Sequence, residues 1–233
     1  MRLGGFQKIT LIDCPGKIGT TVFTVGCNFR CPFCHNPELV LPEQYAPSLP
    51  ENTEESFLKF LKERKGRLEG VCITGGEPTI QPDIINFIQK IKKIGYAVKL
   101  DTNGSRPDVL EKVIHKRIVD FISMDIKSSP QNYAKLAGVK MDMDKINLSI
   151  SLIMHSPINY EFRTTAVPGM HTEKDFEEIA HWLKGAKKYC LQKYRDIKIL
   201  NPRLKKATKG KSLDLEKIKK NIEKSFGEVE VRN

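Results

Sequence analysis

Short apolar runs rich in Val, Ile and Phe alternate along this chain with longer segments in which Ile, Leu and Phe recur every three or four positions. The runs predict strands and the recurring spacing predicts helices. Strands are expected at residues 20–25, 71–74, 97–100, 120–124, 160–167 and 188–191. Helices are expected at 53–65 with Thr53 as N-cap, at 84–94 before Gly95, at 108–115, at 131–137 before Gly138, and at 173–183. The stretch 144–154 has a strand-like composition, but Ile146, Ile150 and Ile153 are spaced for a helix, and the spacing predicts a helix. A last helix at 213–226 and a terminal strand at 229–231 complete the pattern.

Strand, helix, strand repeated in this way calls for parallel strands joined by right-handed crossovers, which curl into a full or partial barrel. The fold class is therefore α/β, a partial (β/α)6 TIM-like barrel. No internal repeat interrupts the pattern, so the 233 residues read as one domain, with a core at about 15–200 and a C-terminal helix and strand at about 212–232. In such folds the chemistry sits at the carboxyl ends of the strands.

Composition narrows the classes. Hydrophobic residues make up 39% and charged residues 29%, enough apolar material for a core, which excludes disorder as the default. No stretch approaches the ~18 apolar residues of a membrane span, and residues 1–8 lack the apolar centre of a signal peptide, so a cytoplasmic location without membrane partners is expected. Three of the six cysteines crowd into residues 27–34, unlike a disulfide framework, while Cys14, Cys72 and Cys190 stand alone and are expected to be small buried residues. The net charge of +11 would attract nucleic acid, an anionic surface or an acidic protein. It is spread out, however, and its densest run, 203–211, has no interleaved aromatics, so a solvated surface is expected rather than a nucleic-acid site.

The first predicted strand is followed by GCNFRCPFCHNP, which places Cys27, Cys31 and Cys34 on one loop in C-x3-C-x2-C spacing. Three such thiolates bind metal. An iron–sulfur cubane normally takes four cysteines, so three would leave one iron open to another ligand; a structural zinc completed by His35 or Cys14 is the other reading of the spacing. The second strand ends in TGGEP, where Gly75 and Gly76 let a ligand approach the backbone beside Glu77, although a Gly-Gly pair is also an ordinary turn. The third ends in DTNG (Asp101, Thr102, Asn103, Gly104) and the fourth in MDIK (Met124 to Lys127). Glu77, Asp101 and Asp125 would favour a cationic ligand and Lys127 a carboxylate, with a turn cap as the plain alternative for Asp101. Arg163 shares one face of the fifth strand with Thr165, and a charge there needs a partner: either a ligand carboxylate or one of the aspartates. Gln192 and Arg195 follow the sixth strand.

With the cysteine loop, GGEP, DTNG, MDIK and the VPG after strand five in order, the sequence resembles the glycyl-radical enzyme activating enzymes of the radical S-adenosylmethionine (SAM) superfamily, closest to the activators of anaerobic ribonucleotide reductase and pyruvate formate-lyase. The resemblance implies a radical SAM core and a [4Fe-4S] cluster on Cys27, Cys31 and Cys34 whose open iron binds the amino and carboxylate groups of SAM. An electron from flavodoxin or ferredoxin would cleave SAM to methionine and a 5′-deoxyadenosyl radical. That radical would take a hydrogen atom from a glycine of a partner glycyl-radical enzyme. It further implies that Phe33 and His35, beside Cys34, lie at the cofactor, that Gly75, Gly76 and Glu77 receive the SAM amino group, and that Asp125, Lys127, Arg163 and, more distantly, Arg195 complete the SAM site. Asp101, Thr102 and Asp125 match positions that hold a monovalent cation in pyruvate formate-lyase activases. The chain departs from the family pattern in having Arg195 where those activases have a histidine, and it has no insertion with further cluster cysteines. Two other readings compete: a radical SAM enzyme acting on a small molecule, and a zinc-stabilised basic nucleic-acid-binding protein.

Overall fold

The computed structural model describes residues 1–41, 43 and 53–232. Strands β1 (Leu3–Thr10), β2 (Gly19–Thr24), β3 (Gly70–Gly75), β4 (Ala97–Thr102), β5 (Phe121–Asp125), β6 (Asn159–Ala166), β7 (Lys188–Lys193) and β8 (Glu228–Arg232) lie side by side in chain order in one sheet. From β2 to β8 every neighbouring pair is parallel. All six predicted inner strands form, and so does the terminal one. β1, by contrast, is a strand that the sequence pattern does not predict, and it runs antiparallel to β2 at the sheet edge. Its half-exposed positions and its Gly4-Gly5 pair leave no alternating signal to read.

The helices are α1 (Pro37–Val40), α2 (Glu54–Glu63), α3 (Ile84–Ile94), α4 (Pro107–His115), α5 (Tyr133–Ala137), α6 (Met143–Met154), α7 (Glu173–Trp182), α8 (Leu204–Thr208) and α9 (Leu215–Ile222). Thr53 caps α2 as expected, its hydroxyl accepting from Ser56 N–H, and Phe57, Phe60 and Leu61 form the buried side. The ambiguous segment is a helix because Ile146, Ile150 and Ile153 all bury on one stripe. The last helix is shorter than predicted: Asp214 caps it, and it tightens into a 3₁₀ turn at Glu223–Ser225.

Strand alternation divides the sheet's two faces. Ile73, Leu100, Ile122, Phe162 and Leu191 are fully buried and belong to the core that also contains Ile88 and Ile91 of α3. The other face carries Cys72, Lys99, Asp101, Ser123, Asp125, Glu161, Arg163 and Gln192, so the concave side is polar and charged. Cys14, Cys72 and Cys190 are buried, as their isolation suggested. No helix among the described residues is long and apolar enough to cross a membrane.

Candidate functional site

A cavity of ≈ 240 Å³ opens at the carboxyl ends of β2 to β7. Its first wall is the loop after β2, which brings Cys27, Cys31 and Cys34 to the same space. Backbone bonds hold this loop from three sides: Gly26 N–H to Leu39 O at 2.7 Å, Arg30 N–H to Ala137 O at 2.8 Å, and Leu200 N–H to Cys34 O at 2.9 Å. Burial pushes the Cys27 thiol up to about 12 and Cys31 up to about 11, and raises Cys34 as well. The thiols therefore carry protons at neutral pH until a metal displaces them. A zinc ion needs three or four donors meeting at one point. Among the described residues no three His, Cys, Asp or Glu side chains do so. In a cubane each cysteine holds its own iron, so three sulfurs lining one cavity suffice, and the donor set fits a cluster with one open iron.

The second wall is the Gly75-Gly76-Glu77 turn after β3. A Cβ on Gly76 would stand 2.0 Å from the Gly26 carbonyl oxygen, so only glycine lets this turn lie against the cysteine loop, to which Glu77 N–H bonds at 2.8 Å through the same carbonyl. Glu77 is 1% exposed. Its carboxylate accepts from Thr79 N–H and hydroxyl, from the Thr102 hydroxyl at 2.8 Å and from Asn103 N–H at 2.6 Å. It therefore acts first as a strut between the β3 and β4 loops, and what it offers the cavity is the edge of a saturated carboxylate.

The floor is a charge cluster. Arg163 bonds Asp101 at 3.0 Å through Nη2 and Asp125 through Nε, and Lys127 Nζ meets the other Asp125 oxygen at 2.9 Å. Arg163 thus pairs with both aspartates while still lining the cavity. Burial acts to raise the Asp125 pKa, but Arg163 and Lys127 outweigh it and hold the group well below the usual carboxylate range. The same balance lowers Asp101, where Arg163 and Lys99 supply the opposing charge. The backbone of Lys127 is fixed by His171: Val167 N–H donates to Nδ1, which leaves Nε2 protonated and donating to Lys127 O at 2.9 Å.

Phe33, His35, Thr102, Thr165 and Gln192 also line the cavity. Arg195 is not among its lining residues; its carbonyl lies 2.8 Å from His35 Nε2, so the segment contacts the site through a neighbour. Three residues without a predicted role brace the cysteine loop: Asn28 donates to the Ser105 hydroxyl at 2.8 Å, and Asn103 donates to Asn28 at 3.0 Å. Lys99 was also missed. It stands two residues before Asp101, on the strand face that made Arg163 conspicuous, and the same test of a charge inside a central strand would have found it.

The family model of the radical SAM superfamily matches residues 21–183. The chain belongs to the radical SAM superfamily. Within it, a Methanocaldococcus jannaschii protein named provisionally as a glycyl-radical enzyme activating enzyme is 29% identical over 99% of this chain and 95% of its own. The pyruvate formate-lyase-activating enzyme of Listeria monocytogenes is 30% identical over 58% of this chain and 57% of its own. Among solved structures, Streptococcus suis SuiB bound to S-adenosylmethionine aligns over 91% of this chain with a TM-score of 0.66 at 13% identity. Coproporphyrinogen III oxidase of Escherichia coli aligns over 88% with a TM-score of 0.61 at 13% identity. This radical SAM chain spans 52% of the length of each of those two, and the likeness is one of fold: a partial barrel.

Proposed function

We propose that this radical SAM protein is a cytoplasmic oxidoreductase that activates a glycyl-radical enzyme, of the anaerobic ribonucleotide reductase or pyruvate formate-lyase type. The observation that carries the reading is the joint lining of one cavity by Cys27, Cys31 and Cys34, the Gly75-Gly76 backbone, and Asp125, Lys127 and Arg163. Likeness to an activating-enzyme relative over nearly the whole length of both chains favours this chemistry over other superfamily reactions. When bound, a [4Fe-4S] cluster and SAM supply the chemistry, reductive cleavage to a 5′-deoxyadenosyl radical that takes hydrogen from a glycine Cα.

The chain's own residues do the rest. Cys27, Cys31 and Cys34 would hold three irons and leave the fourth to the SAM amino and carboxylate groups. The Gly75-Gly76 backbone offers close approach to the ammonium end, and Lys127 and Arg163 are cations that a ligand carboxylate can meet. Phe29, Phe33 and Val40 make that wall apolar and exclude water from it. An acidic flavodoxin or ferredoxin suits the +11 charge as electron donor.

The test is anaerobic reconstitution with iron and sulfide, then dithionite and SAM, with 5′-deoxyadenosine quantified against Cys31→Ala. Wild type should produce it and the variant should not. Wild-type protein that takes up zinc without sulfide and makes no 5′-deoxyadenosine overturns the reading.

A further inference from the structure

Every carboxylate oxygen of Asp101 and Asp125 already has a cationic partner. Asp101 Oδ1 takes Lys99 Nζ at 2.5 Å, and Asp101 Oδ2 takes Arg163 Nη2 at 3.0 Å. Asp125 Oδ1 takes Arg163 Nε, and Asp125 Oδ2 takes Lys127 Nζ at 2.9 Å. The third residue of the expected monovalent-cation site, Thr102, directs its hydroxyl proton to Glu77 at 2.8 Å and accepts from Gly104 N–H at 3.1 Å. A further cation here would sit among three positive groups in a buried space, where like charges repel strongly. The residues present do not fit an added ion.

We propose that the Lys99 ammonium supplies to Asp101 the positive charge expected from a monovalent cation, and that this chain keeps Asp101 and Asp125 positioned without one. Three observations carry it. Lys99 is 7% exposed and the Cys72 sulfur lies 3.8 Å from its Nζ, so the ammonium is held inside the barrel. It lies two residues before Asp101 on β4, which puts both side chains on the concave face. Finally, an ammonium is a compact single charge, the side-chain group closest to a potassium or sodium ion, whereas the planar guanidinium of Arg163 bridges the two carboxylates. Lys99 is thus a positioning residue: it fixes Asp101, which fixes Arg163.

The inference concerns the site of the proposed reaction and rests on that reading only for the ligand the site serves, so its main test needs neither cluster nor SAM. The unfolding temperature of the cluster-free protein is measured in potassium chloride, in sodium chloride and in tetramethylammonium chloride at equal ionic strength, for wild type and Lys99→Met. Wild type should not distinguish the three salts by more than about 1 °C. Lys99→Met should unfold lower in tetramethylammonium and regain about 3 °C or more in potassium or sodium, as a cation fills the vacated position. A wild type stabilised by about 3 °C in one of the small cations, or a folded Lys99→Met indifferent to all three, overturns the proposal. Should the variant fail to fold, the wild-type comparison alone decides. A second reading separates this from the reaction: 5′-deoxyadenosine formation by reconstituted wild type should change less than about twofold on exchanging potassium for tetramethylammonium. Absence of product in every salt would count against the radical SAM reaction and leave the thermal result standing.

Discussion

Around the cavity floor, Lys99, Lys127 and Arg163 pair with Asp101 and Asp125, whereas the buried Glu77 is held by hydrogen bonds from Thr79, Thr102 and Asn103. Of the three cations, Lys127 binds one carboxylate oxygen and stands beside the cysteines, whereas Arg163 is divided between two aspartates. Removing the Lys127 ammonium should weaken SAM binding about tenfold, the worth of one charge-assisted bond, while leaving iron content unchanged. Equilibrium binding of SAM to reconstituted Lys127→Ala, beside an iron assay, checks both halves; loss of iron would mean that Lys127 also supports the cysteine loop. At this scale the sequence was informative wherever chemistry is carried by spacing. C-x3-C-x2-C, GGE and D-x-K could be read directly, because a motif is a local statement. The Glu77 strut and the Lys99–Asp101 pair could not, because both depend on which strands become neighbours.

Elements hold these residues in place through their ends. α5 stops at Gly138, whose φ of +70° is left-handed and whose missing Cβ would meet the Arg30 carbonyl at 2.0 Å, so a helix terminus presses on the cysteine loop. Gly138→Ala should push that loop away, and iron retained after reconstitution should drop below about half that of wild type even in protein that remains folded by circular dichroism. At the start of α7, Asp175 accepts from Thr172 in a capping box and also from Ser129 and Asn132 near α5. Burial would raise its pKa, but these bonds outweigh burial and bring it to about 2. A carboxylate depressed in this way contributes stability above its unfolded pKa near 4 and loses it as pH falls toward 2; the shift is worth about 2 kcal/mol. Asp175→Asn should therefore be less stable than wild type in urea unfolding at neutral pH, with the gap closing toward pH 2. Predicted elements formed where apolar spacing was strong; β1 escaped because an edge strand with glycines and half its surface exposed has no inside to advertise.

Across the whole molecule, β8 serves β6 over the strand between them. Arg232 reaches the buried Glu161 carboxylate with two bonds, at 2.7 and 2.9 Å, and Ser123 donates a third at 2.7 Å. Arg232→Ala would leave the buried Glu161 carboxylate with the Ser123 hydroxyl alone in place of a two-pronged ion pair. A loss of about 3 kcal/mol in urea unfolding is expected, with Arg232→Lys restoring only part because one ammonium cannot replace a two-pronged guanidinium.

The sheet has one more property. Because its strands stand in chain order, each newly made strand finds its neighbour already present. At synthesis rates of about 5–20 residues per second, the cysteines leave the ribosome roughly 7 to 30 seconds before Arg163 exists to complete the cavity. During that interval the thiols lie on a half-built sheet without the floor that will later face them, open to oxygen and to any thiophilic metal at hand. Order of manufacture thus sets a hazard for the nascent chain, which carries the three thiols before the sixth strand exists to close the cavity beside them.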